Sequence, residues 1–242
     1  SNALTGVVPV IVNNSTILAE VENGTETSHS RITAGDSIGI IAAADSDIYI
    51  IAGGLAAAGA NAIGASINTA VLKNDIQAHA GTWTELMTTA TPAVQTSTNG
   101  IKIPNRNERR RGIIIFADGN EDVVMVSVSA GAGGSNAITG VISTLVARNT
   151  VKATSREHVT ISVKKASGSS ANDTDPLPGV YIEAHDNTEL LNLAGALSAA
   201  GSVGAGATVV ALVFNKTVTA ETGKEHKILA PGKVQVIADA KD

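Results

Sequence analysis

The 242-residue chain contains no cysteine, so a disulfide framework and a thiol nucleophile are both excluded. That absence names no compartment, although it suits a passenger that crosses a periplasm unfolded, where an early disulfide would block export. Aromatic residues are almost absent too: Tyr49, Trp83, Phe116, Tyr181 and Phe214 are the whole set. Domains of this size draw much of their buried area from such side chains. Here Ala, Val, Ile and Gly must fill the interior, which suits thin, regular layers. Positive charge is in deficit, with a net charge of −5. This argues against nonspecific binding to nucleic acid or anionic membrane, both of which need a positive field.

What the chain does have is repetition. TGVVPVIVNNSTILAEV, GASINTAVLKNDIQAHA, ITGVISTLVARNTVKAT and GATVVALVFNKTVTAE follow one plan: a small residue, an alternating β-branched run, an asparagine, and a strand ending near Ala. The asparagines are Asn14, Asn74, Asn149 and Asn215. A second unit alternates with the first: GDSIGIIAAAD, RGIIIFAD, PGVYIEAHD and GKVQVIAD, closing on Asp45, Asp118, Asp186 and Asp239. Between the two lie Ala/Gly segments, AGGLAAAGANA, SAGAGGSNA and AGALSAAGSVG. Motifs recurring in fixed order signal a chain built by stacking similar units.

Strand grammar dominates, as in VVMVSVS from Val123 and VTISV from Val159. The Ala/Gly segments could be helical, residues 190–200 best of all. Their glycines cost about 1 kcal/mol each in a helix interior, which favours strands or tight corners. The three sub-units, each of roughly 22 residues, match the length of one solenoid coil. About ten coils at ~4.8 Å per layer would then form a rod some ~45–50 Å long. Residues 23–37, 83–112 and 167–179 break the rhythm and are expected as loop insertions at corners, where they disturb no layer. Residues 193–214 carry no charge and are long enough to span a bilayer as a helix, but Gly and Ser dilute their hydrophobicity.

Residues 1–3 read as a tag-cleavage scar. Residues 4–242 read as a single repeat domain, a fragment of a longer protein, because the chain opens and closes inside the repeat grammar.

Candidate chemistry is sparse. The four asparagines read as structural corners, since Asn tolerates left-handed backbone and caps turns. In register they could also form an amide ladder. The four aspartates could line up as a carboxylate column for Ca²⁺, but no loop has the required ligand density, and turn capping is the simpler role. Five histidines fall at unrelated phases with no metal-ligand spacing. The glycine-rich GAGG and GSVGAG lack the Lys-Ser/Thr ending of a phosphate loop. No catalytic residue, metal site or cofactor is expected. The one basic cluster, NRNERRR, contributes Arg106, Arg109, Arg110 and Arg111; with Trp83 it forms the candidate ligand-binding loop, suited to a sulfated glycan or an acidic partner. Sequons at Asn13, Asn14, Asn23, Asn172 and Asn215 follow the same corner grammar.

The alternation of AGGLAAAG-like segments with GASINTAVLKN, GVISTLVARNTVKA and GATVVALVFNKTVTAE resembles the repeat region of filamentous-haemagglutinin-like large exoproteins. More narrowly, it is similar to leukotoxin-type filamentous adhesins of Gram-negative bacteria. Lys73-Asn74-Asp75 and Arg148-Asn149-Thr150 shorten that family's double-Asn corner, while Asn13-Asn14 keeps it. The resemblance implies a right-handed parallel β-helix, no catalytic residues, and secretion through an outer-membrane partner to the cell surface or medium.

Together these readings give an all-β, right-handed parallel β-helix with loop insertions, acting as a non-enzymatic shaft or adhesive segment. Its partners would be a host-cell or surface glycan or protein ligand, with end-to-end self-association of the fragment. Two rivals stand beside it: a β-helical polysaccharide lyase or hydrolase, and a membrane-inserting toxin segment.

Overall fold

A computed structural model describes residues 1–89, 100–164 and 177–241. In chain order the strands are β1 (Asn2–Val7), β2 (Val10–Val21), β3 (Ser30–Ala34), β4 (Ile38–Ala58), β5 (Asn61–Ala80), β6 (Thr84–Thr88), β7 (Ile101–Lys102), β8 (Arg109–Arg110), β9 (Gly112–Gly133), β10 (Asn136–Ser155), β11 (Thr160–Ser162), β12 (Gly179–Ala200), β13 (Val203–Thr222), β14 (Lys227–Leu229) and β15 (Val234–Lys241). No helix forms among the described residues.

Three parallel sheets collect these strands. The first holds β1 and β2 beside β5, then β10 and β13; the second runs β3-β6-β11-β14; the third runs β4-β9-β12-β15. The chain visits the sheets in the same order on each passage, so repeat copies lie in adjacent layers. Asn136 pairs with Asn61 and Val203 with Asn136. The antiparallel exceptions among the described residues are the β7/β8 pair and an isolated bridge from Thr25 to Ser28.

This overturns the expected coil size. A sub-unit of roughly 22 residues is not a whole coil: the Ala-Asp unit and the Ala/Gly segment share one strand of the third sheet, as in β4, the asparagine unit makes a strand of the first, and one layer consumes all three. The described chain therefore makes four layers rather than ten. Twenty-residue strands span about 65 Å, whereas three steps between four layers span only about 14 Å. The body is wide and shallow, because successive alternating runs lengthen the strands instead of adding layers.

Residues 190–200 belong to β12, and the uncharged run 193–214 is divided between β12 and β13 by a turn at Gly201 and Ser202. Among the described residues no helix is long and apolar enough to cross a membrane. The expected loop 23–37 contains β3, and 83–112 contains β6, β7 and β8. Most of 167–179, with Asn172, lies outside the described residues. Asn2 and Ala3, read as part of a scar, pair with Asn61 and Ala62 in the first sheet.

Two facing sheets bury their inner columns, and strand alternation decides which residues these are. Where all three sheets meet, Ile38, Ile76, Leu86, Ile115, Ile161 and Ile182 pack together; farther along, Ile50, Leu72, Met125 and Leu145 form a second cluster. The recurring Ala of both motifs becomes two inner columns, Ala19-Ala78-Ala153-Ala220 and Ala42-Ala117-Ala184, the second continued in register by the exposed Ala238. Small side chains there let facing sheets approach without a large aromatic.

Amide ladders do form, but not from the four expected asparagines. Asn136 donates to Asn61 at 2.8 Å and Asn61 to Asn2 at 2.9 Å. On the third sheet Asn187 donates to Asn120 at 3.0 Å and Asn120 to Asp45 at 2.8 Å. Asn120→Ala removes the middle rung. We expect a loss of about 0.5–1.5 kcal/mol in urea unfolding, the ordinary net worth of a hydrogen bond.

Candidate functional site

The basic segment 100–111 does not project. It folds back over the outer face of the third sheet, where Ile103 buries with Ile114 and Phe116, and Ile41, Ile101 and Tyr181 pack around them. An outer face with apolar residues at the start of β9 and β12 needs a cover, and this insertion supplies it. The charged side chains then close over the apolar patch. The Arg110 guanidinium pairs with Glu183, which is 1% exposed, bonds Glu108 at 2.8 Å, and lies 4.7 Å above the Tyr181 ring. Arg111 pairs with Asp36 at 2.8 Å. Arg106 sits 5.8 Å over the Phe116 ring, and Asn105 donates to Asp118 at 2.8 Å.

Each carboxylate records its surroundings. Burial alone would push Glu183 up, but hydrogen bonds from His185 and Arg110 outweigh it and hold the group below its ordinary range. Asp36 behaves likewise: burial raises it, and the bonds from Arg111 and Ser37 bring it lower. At Asp118 burial wins over Asn105 and the carboxyl is pushed up. Two of the four arginines thus neutralise acids of this same face. Arg109 is exposed, donates to Gly100 O at 2.9 Å and pairs across β7/β8 with Lys102; a surface cavity is lined by Lys102, Pro104, Asn105, Arg106 and Asn107.

Trp83, the fifth residue of the expected loop, takes part in none of these contacts. It lies at the corner between the first and second sheets with φ of 54°, and His158 and Glu225 repeat that left-handed backbone in the next two layers. The indole stacks on His158 at 3.9 Å between centroids and 2° between planes; His29 flanks its other side at 5.5 Å. Trp83 belongs to a corner stack and makes none of the contacts of the arginine segment.

The four asparagines expected at corners sit inside long strands. Asn14 of β2 and Asn215 of β13 share an outward column with Lys73 and Arg148, whereas Asn74 and Asn149 point inward and are buried. The four aspartates form no column. Asp118 and Asp239 stack with His185 between them, Asp45 stacks on Asn120, and Asp186 faces the interior. Among the described residues no group of three or more His, Asp or Glu is placed to hold a metal ion.

Sequence reasoning missed a polar layer inside the core. Between the two apolar clusters, Asn74 donates to Glu121 Oε1 at 2.7 Å, Asn149 to Glu121 Oε2 at 2.8 Å, and Thr188 to Glu121 Oε2 at 2.8 Å. Asn149 also donates to Asp186 Oδ1 at 3.2 Å, and Lys216 Nζ stands 3.3 Å from Asp186 Oδ2. Burial first, then the neighbouring Asp186 charge, pushes the Glu121 carboxyl up. The available signal was an inward-phase acid within GNEDVVMV, legible only once the inner face of β9 is known.

Comparison with known protein families, curated proteins and solved structures returned no significant match.

Proposed function

We propose that the chain is a non-enzymatic shaft or adhesive segment of a secreted or cell-surface bacterial adhesin or exotoxin, wound as a right-handed parallel β-helix. The observation that carries this reading is the register: equivalent repeat residues stack layer on layer in three parallel sheets. Such a body grows by adding layers, and its insertions modify a face without disturbing the stack. Its partners on this reading are a host-cell or surface glycan or protein, and the outer-membrane machinery that exports it. On this reading copies also associate end to end, through strand edges that no strand of the described residues covers.

Ligand contact falls to Lys102, which lines the cavity of the covering segment, and to Arg109, its neighbour across β7/β8, since Arg110 and Arg111 are spent on Glu183 and Asp36. Retention on a sulfated-glycan column at low salt tests this. We expect wild-type protein to be retarded and the Lys102→Ala/Arg109→Ala variant to elute earlier, with salt erasing the difference. Wild-type protein in the flow-through would remove the glycan ligand. Release of unsaturated products from a uronate polymer would replace the whole reading with a lyase.

A further inference from the structure

Among the charged groups of the interior, one arrangement goes beyond holding layers together. Asp186 and Lys216 come from different sheets, on neighbouring strands β12 and β13, and meet in the core with side chains 0% and 8% exposed. Nζ of Lys216 is 3.3 Å from Asp186 Oδ2 and is oriented from the far side by a 2.7 Å bond to Lys241 O. The Asn149 amide binds both Asp186 and Glu121, so a second carboxyl is held against the pair. A lysine and an aspartate in contact, shielded from water, with an additional acid beside them, are the components of an amide-forming site.

We propose that Lys216 and Asp186 form an intramolecular isopeptide bond, closed without any enzyme and assisted by Glu121. The Lys216 ammonium passes a proton to the Asp186 carboxylate, giving a neutral amine and a neutral acid, the pairing that a low dielectric favours. The amine lone pair adds to Asp186 Cγ, forming the Cγ–Nζ bond. The tetrahedral centre then loses one hydroxyl, which leaves as water with the second amine proton. One C–O bond breaks, one C–N bond forms, and nothing is oxidised or reduced. Proximity supplies the effective concentration that two free side chains in water lack. Glu121 is a positioning residue: it accepts from Asn149, whose amide also donates to Asp186, and so fixes the Asp186 carboxyl.

The bond would join β13 of the first sheet to β12 of the third. A covalent tie across the core would keep the two facing sheets from separating there.

Intact-mass spectrometry of the full chain decides the matter. The expected wild-type mass is lower than the sequence mass by one water, and a proteolytic digest contains a branched peptide joining the segments around Asp186 and Lys216. Lys216→Arg returns to full mass. Wild-type protein at full mass overturns the proposal. So does a water loss that survives in Lys216→Arg, which would instead point to cyclisation at Asp118-Gly119. Glu121→Gln preserves the side-chain shape but cannot accept all three donors; in a time course of newly synthesised protein it should close up to about 10²-fold more slowly, the loss that a misplaced reacting group brings. Glu121→Asp should recover part of that rate. Equal rates in wild type and Glu121→Gln overturn the part given to Glu121.

Discussion

Arg110→Ala is expected to cost about 3–5 kcal/mol, the penalty for leaving a buried charge without its partner. Glu183 is 1% exposed and faces the Arg110 guanidinium. His185 Nε2, 3.2 Å away on the other oxygen, would offset part of the loss. The stacking of Arg110 on Tyr181 goes as well. The sign with pH follows from the folded-state shift. In wild type Glu183 is held below its ordinary range, so its contribution is present at neutral pH and fades as pH falls through that lowered value. Without Arg110, burial dominates and the carboxyl moves up, so it costs stability at neutral pH and takes a proton on mild acidification. The gap between variant and wild type should therefore be widest near neutral pH and narrow toward about pH 4. Chemical denaturation across that range measures it; a gap constant with pH would show that packing, not charge, holds the covering segment. Replacing both partners by apolar residues, Arg110→Met with Glu183→Leu, should recover most of the loss.

Gly134→Val is expected to cost about 2–4 kcal/mol, through overpacking and broken backbone hydrogen bonds. Gly59, Gly134 and Gly201 occupy the same place in the turn joining the third sheet to the first, one layer above another. A Cβ on Gly134 would collide with the carbonyl oxygen of Gly59. The turn cannot move aside cheaply, because Gly134 N–H donates to Ala58 O at 3.2 Å and Ser135 N–H to Ala60 O at 2.9 Å. Gly6 offers the control: a Cβ there meets nothing within 4 Å, so Gly6→Val on the outer face should unfold within about 0.5 kcal/mol of wild type. Equal effects at the two sites would mean that the layers are not tightly stacked at the turn.

The sequence carried the layer plan in a form that could be misread. The fixed order of motifs foretold that each layer repeats the same passage, but not the three sheets: two motif segments share the third sheet, and β3 and β6 of the second lie in segments expected as loops. A further error was scale. A run such as IGIIAAADSDIYIIAGGLAAA contains two motif segments, and a turn between them is as consistent with composition as a continuous strand. The structure makes it the single strand β4. Continuity wins because alternation persists through Asp45 and Asp47, which face outward, and the inner face never loses its register with β9. The asparagines show the same limit. Asn14 and Asn74 look equivalent by motif, but pairing sets Asn14 against Lys73 and Ser15 against Asn74. One residue of register reverses which face a side chain occupies.

By itself, the sequence determined the all-strand class, the small-residue interior, the repeat order and the exclusion of thiol chemistry. These follow from composition and short-range alternation, which any window of the chain displays. Only the tertiary structure decided that the basic cluster is a cover bound to Glu183 and Asp36, that Trp83 stands apart from it, and that Asn149, Glu121, Asp186 and Lys216 meet inside. The physical reason is that each of these contacts joins residues brought together by layer register and by the facing of two sheets. Both are properties of the folded stack, and a linear spacing does not encode them.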